Sequence, residues 1–122
     1  DKAKNLKSEL MTLTKNINGV NFIASKINLD SSDAIKDLAF QMRSEVDNLF
    51  MVLGAEVKGK PNLTVVVSEN LVKEKGLNAG SIIRDLAKEI KGGGGGQPFY
   101  ATAGGKDVSG LDNALKKAEA FI

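Results

Sequence analysis

Five consecutive glycines, Gly92–Gly96, constrain this chain more than any other feature. They stand in the stretch IKGGGGGQPFYATAGGKD, residues 90–107. Each glycine gives up as much as about 1 kcal/mol of helix or strand stability relative to alanine, through backbone entropy. Such a run is either a flexible linker or a place where something approaches the main chain too closely for a Cβ. A linker needs folded matter on both sides, and only the residues from 97 to 122 follow. That is too little chain for an independent domain. Yet PFYATAG (98–104) has the pattern of a strand, and Leu111, Ala114, Leu115, Ala118 and Ile122 form a helical apolar stripe behind it. Both must pack back onto the same core, so the glycines lie inside the domain.

The preceding chain supplies that core. Leu6, Leu10, Leu13 and Ile17 are spaced by 4, 3 and 4. This predicts a helix over 2–17, ended at Asn18-Gly19 and without a partner in this chain, the end of a longer helical arm. The expected division is an arm over 1–18 and a globular part over 19–122. VNFIASKI (20–27) alternates as a strand. Asp30, with Asp33 three positions on, opens a helix whose buried face is Ile35, Leu38, Ala39, Met42 and Val46. NLFMVLGAEV (48–57) reads as a buried strand, KGKPN (58–62) as a turn, and LTVVVS (63–68) as a central strand. A short helix closes at Gly76. Asn78 then caps a longer one with Ile82, Ile83, Leu86 and Ile90 inward and Gly92 as its stop. Ser109 and Asp112 form a capping-box-like pair for the last helix. This order predicts an α/β (α+β) fold: a four-stranded mixed sheet covered by helices, with a short N-terminal helical arm.

Composition excludes several chemistries. The 122 residues contain neither cysteine nor histidine. That rules out disulfides, thiol catalysis, histidine-based triads and zinc held by Cys or His within this chain. No apolar run approaches the length of a membrane span. The opening DKAKNLKSEL is charged and periodic, unlike a signal peptide, and has no initiating Met, so the chain reads as a piece of a longer protein. Seventeen basic and fifteen acidic residues give a net charge of +2, a slight lean towards polyanions.

The glycines match no standard nucleotide fingerprint. Gly105-Lys106 is followed by Asp107 and preceded, where a P-loop needs glycine, by Tyr100. A G-x-G-x-x-G motif starting at Gly92 fails at Gln97. The run also follows a helix C-terminus, whose dipole repels anions. Gly104-Gly105-Lys106 is better placed. It leaves a strand and approaches a helix N-terminus, where free N–H groups favour an anion. Side by side, the two clusters form a surface without Cβ atoms on which an anionic polymer backbone can lie closely.

The segment KGGGGGQPFYATAGGKDVSGLDNALKKAEAFI resembles the last part of bacterial alanyl-tRNA synthetases, which have a glycine run, a nearby proline, an A-x-A-G-G-K turn and a closing helix. The preceding VVVSENLVKEKGLNAGSIIRDLAKEIKG fits as well, and the likeness covers about residues 19–122. It implies a parent enzyme that joins alanine to its tRNA using ATP and magnesium, and edits with a zinc-dependent domain. Those activities and cofactors sit upstream, leaving no catalytic or metal residue in this fragment. The implied partners are alanine tRNA at the outer corner of its L shape, the upstream aminoacylation and editing domains, and a second copy through the arm. The implied location is the cytoplasm. A surface poor in side chains suits recognition of RNA by shape. The candidate contacts are Arg84, Lys91, Gly92, Gly93, Gly94, Gly95, Gly96, Tyr100, Gly104, Gly105 and Lys106, with Tyr100 stacking on a base. A similar module ends DHH-type phosphoesterases, where the glycines would hold a phosphate. A third reading is a structural dimerisation module built on the Leu6–Ile17 stripe.

Overall fold

The computed structural model describes residues 2–122; Asp1 of the expected arm lies outside them. The four strands legible from alternation are present: β2 (Val20–Lys26), β3 (Leu49–Val57), β4 (Lys60–Val67) and β6 (Tyr100–Gly104). The sheet, however, has six strands: with β1 (Lys15–Ile17) and β5 (Gly93–Gly96) added, the order is β1-β2-β3-β4-β6-β5. β2 and β3 run parallel, and every other neighbouring pair is antiparallel. The expectation of a mixed sheet covered by helices therefore holds, and the count of four is corrected to six.

Both additional strands are edges. β1 (Lys15–Ile17) arises where a helix was expected to continue. Helix α1 (Lys2–Thr12) stops five residues short of Ile17. Asn18 and Gly19 are not a helix stop. Both have positive φ, 53° and 83°, and they form the tight turn of a hairpin in which Ile17 pairs with Val20. The Leu6 and Leu10 part of the stripe does find a partner in this chain. Leu10 is buried and Leu6 half-buried against the core beneath α2 (Ser32–Glu45), and Lys7 Nζ meets the Glu45 carboxylate at 2.7 Å. Leu13, past the end of α1, is 50% exposed. The other new edge, β5 (Gly93–Gly96), is the glycine run itself.

Two cores flank the sheet. On one face, helix α4 (Ala79–Ala87), its 3-10 extension to Ile90 and helix α5 (Leu111–Ala118) cover Phe22, Phe50, Val52, Leu63, Val65, Val67, Ala101 and Ala103. On the other, α2 and Leu10 of α1 cover Ile23, Leu49, Met51, Leu53 and Val66. The α2 side chains inside are Ile35, Leu38, Ala39 and Met42, as the helical spacing predicts. The short helix α3 (Glu69–Glu74) leads into α4 through Gly76.

Capping differs from expectation at three helix ends. Ser31, not Asp30, caps α2, its Oγ accepting from the Ala34 N–H at 3.3 Å. Asn78 caps α4 as expected, accepting from the Ser81 N–H at 3.0 Å. Lys91, not Gly92, takes the left-handed stop position after Ile90. Asp107, not the Ser109–Asp112 pair, closes the start of the last helical segment, its Oδ1 accepting from the Ser109 N–H at 3.1 Å.

Candidate nucleic-acid interface

The glycines are needed first by the protein itself. β5 lies tightly over β6. A Cβ on Gly92 would come within 1.9 Å of the Gly104 carbonyl oxygen, one on Gly94 within 2.2 Å of the Thr102 oxygen, and one on Gly96 within 2.5 Å of the Tyr100 oxygen. Side chains are therefore excluded at 92, 94 and 96 by the neighbouring strand. Gly93 and Gly95 alternate with them and have open space where a Cβ would stand. Only this second pair has room for a side chain, although Gly92, Gly94 and Gly96 are exposed to solvent as well. The Cβ-free surface expected over the whole run is thus divided by the two-residue period of a strand into positions that exclude a side chain and positions that have room for one.

The second cluster is also tighter than its sequence indicates. A Cβ on Gly105 would lie 2.2 Å from the Ile90 carbonyl oxygen. The N–H groups of Lys106 and Asp107 both donate to that same oxygen, at 2.9 and 3.0 Å, and the Gly105 N–H donates to the Pro61 oxygen at 3.2 Å. The expected main-chain anion cradle at 104–106 is corrected by these bonds, because its donors are already paired. The Asp107 carboxylate, moreover, occupies the start of the helical segment that follows.

Charge comes instead from side chains. An open groove of about 400 Å³ is lined by Val57, Lys60, Pro61, Asn62, Lys91, Gly92, Gly104, Gly105 and Lys106. It brings Lys91 and Lys106 together, 15 positions apart in sequence, with Gly92, Gly104 and Gly105 as its floor. All three lysines are exposed, and none forms an ion pair among the described residues. Lys60 escaped the sequence reading, which placed it in a turn. It reaches the groove because β4 begins at Lys60 and pairs Asn62 with Gly104. Three unpaired ammonium groups around a floor of small residues attract an anion that is bulky and polyvalent.

The remaining candidates lie elsewhere. Arg84 is exposed on α4, on the opposite face of the sheet from Tyr100 and off the groove. Its neighbours are engaged without it: Lys88 with Asp85 at 3.4 Å and Glu89 with Lys117 at 3.5 Å. Tyr100 stands at the far end of β6 from Gly104, packed on Phe40 with ring centroids 4.9 Å apart. Burial raises its phenol above the usual value of 10.0. Among the described residues there is no group of His, Cys, Asp or Glu suited to hold a metal ion, and no helix long and apolar enough to cross a membrane.

The DHHA1 domain family matches residues 19–122. Over all 122 residues the chain is 60% identical to the alanine-tRNA ligase of Christiangramia forsetii, and 48% identical to that of Cytophaga hutchinsonii. In each case it spans 14% of the relative's length. Its fold is similar to the crystal structure of the C-Ala domain from Aquifex aeolicus alanyl-tRNA synthetase. The TM-score is 0.78 at 23% identity, over 88% of this chain and 96% of that one.

Proposed function

The chain belongs to the DHHA1 domain family, and from that premise we propose that it is the non-catalytic C-terminal domain of an alanine-tRNA ligase, binding tRNA through backbone contacts. The observation that carries this is the groove at Lys60, Lys91 and Lys106. Their exposed side chains share the lining of an open groove with Gly92, Gly104 and Gly105, which put no side chain between a sugar–phosphate backbone and the main chain. Phosphate contacts of this kind position an RNA and carry no base sequence. Identity to alanine-tRNA ligases along the whole chain supplies the choice of RNA, alanine tRNA.

In this reading the domain helps to bring the tRNA to the upstream aminoacylation and editing domains, in the cytoplasm. ATP, magnesium and zinc act in those domains, because this chain has no complete nucleotide motif and no His or Cys. A homodimer through the helical arm belongs to the same proposal, supported by Met11 and Leu13, which stay exposed while Leu6 and Leu10 pack within the chain. The phosphoesterase reading is the weaker one, since the curated relatives of high identity are alanine-tRNA ligases.

The test is a titration with alanine tRNA at a series of salt concentrations. Three lysine–phosphate contacts give a log–log slope of about −2 to −3. Binding that ignores salt, or a triple alanine variant at 60, 91 and 106 that binds as the parent does, refutes the groove as the contact.

A further inference from the structure

The surface beyond the lysine groove ends in aromatic rings. Phe40 and Arg43 stand three residues apart on α2, hence on one side of it. Phe40 packs against Tyr100 at the start of β6, with rings tilted by 33°. The Arg43 guanidinium lies 5.1 Å over the Phe99 ring and is tied down by its Nε–H, which donates to the Val67 carbonyl at 3.1 Å. All four side chains are half-buried, so each keeps part of its surface in solvent.

Register connects this cluster to the groove. Tyr100, Thr102 and Gly104 point to the same face of β6, and Gly104 borders the lysines. Four residues of strand separate the ends by roughly 13 Å. Between them, Thr102 is half-exposed, and Gly95 beside it offers no side chain. A flexible polyanion held at the lysines would pass Thr102 and Gly95 along β6 to reach the rings.

We infer that Phe40 and Tyr100, flanked by Arg43 and Phe99, form a stacking site for one unpaired nucleobase of the RNA whose phosphates lie at Lys60, Lys91 and Lys106. This rests on the RNA-binding reading above. Two rings, with a guanidinium held 5.1 Å over a third, offer π faces and a cation at one place, and a nucleobase stacks on both. The site is tolerant of which base it takes, since every base has a π face.

Tyr100 is the only tyrosine, and the chain has no tryptophan, so ultraviolet-excited emission reports this site. The probe is a single-stranded decaribonucleotide, compared with the same strand made abasic. Stacking predicts that the intact strand quenches Tyr100 emission and the abasic strand does not. Tyr100→Leu and Phe40→Leu each weaken intact-strand affinity about fivefold to a hundredfold, while Tyr100→Phe binds as the parent does. The slope of affinity against salt stays unchanged in all three, because no phosphate contact is lost. Equal quenching by both strands, or Leu variants that bind normally while the lysine variant fails, overturns the stacking site and leaves the groove standing. Absence of any lysine-dependent binding overturns both. Quenching by a tyrosine-free aromatic peptide with no response to the RNA assigns the rings to a protein partner and also refutes the proposal.

Discussion

Gly94 lies so closely over Ala103, its partner across the β5–β6 ladder, that a methyl group on it would stand 2.6 Å from the Ala103 Cα. Its neighbour Gly95, opposite Thr102, has nothing within 4 Å in the same position. Gly94→Ala is therefore expected to cost about 1–3 kcal/mol as the ladder is forced apart. Gly95→Ala is expected to stay within about 1 kcal/mol of the parent, since an open strand position accepts a side chain. Urea unfolding of the two variants measures the difference. Equal stability would show that β5 does not hold this register.

The same alternation separates folding from recognition. Gly93→Leu and Gly95→Leu place bulk on the outward side of β5 without touching β6. Both variants are expected to keep the parent's melting temperature within a few degrees and to weaken tRNA binding severalfold. Normal tRNA affinity in a folded double variant removes the glycine surface from the contact.

Lys91 combines a charge in the groove with a left-handed backbone, φ 53°. Glycine relieves that conformation, by up to about 1 kcal/mol. Lys91→Gly is expected to be at least as stable as the parent and yet to bind tRNA more weakly, with a salt slope less steep by about 0.7–0.9. Fluorescence anisotropy across a salt series reads the slope. An unchanged slope means that no phosphate sits at this lysine.

Burial raises the Tyr100 pKa, so the folded state holds the phenol proton more tightly than the unfolded chain, whose value is the ordinary 10.0. Its contribution is intact below pH 10. It is lost as pH rises from there through the folded-state pKa, where the unfolded chain has already released its proton. Tyr100→Phe is expected to flatten the fall of melting temperature above pH 10 relative to the parent. If the two curves stay parallel, the phenol sits in water as freely in the folded state as in the unfolded one.

Gly19 holds φ 83° in the turn that folds β1 onto β2. Gly19→Ala is expected to cost about 1–2 kcal/mol of local stability and to raise amide exchange at Lys15–Ile17 first. Asn18→Gly, by contrast, is expected to leave exchange there unchanged. Uniform exchange across the two variants would mean that β1 is held by something other than its turn.

The central strands were legible because Phe22, Val52, Val65 and their neighbours write burial into composition and alternation, on both faces of a sheet. The edge strands were not. Lys15–Ile17 is three residues long, and glycine carries no side chain with which to show alternation at 93–96. The stripe Leu6, Leu10, Leu13, Ile17 has a helical period, but its last member obeys the Asn18-Gly19 turn instead. Local turn geometry prevailed there over a period of only four matches.

The candidate site divides in the same way. Gly104, Gly105, Lys106 and Lys91 sit beside turns and could be named from sequence. Lys60 could not, because only the pairing of Asn62 with Gly104 carries it across the sheet.

Sequence alone determined that the glycine run lies inside a domain, since the apolar stripe behind it, Leu111 to Ile122, needs a core to bury against. It also determined that no thiol or imidazole chemistry occurs in this chain. Tertiary structure decided which glycines have room for a side chain, which main-chain donors are already paired, and which three lysines share one groove. The physical reason is that side-chain chemistry is local, whereas contact and desolvation depend on strand register, which joins residues far apart in the chain.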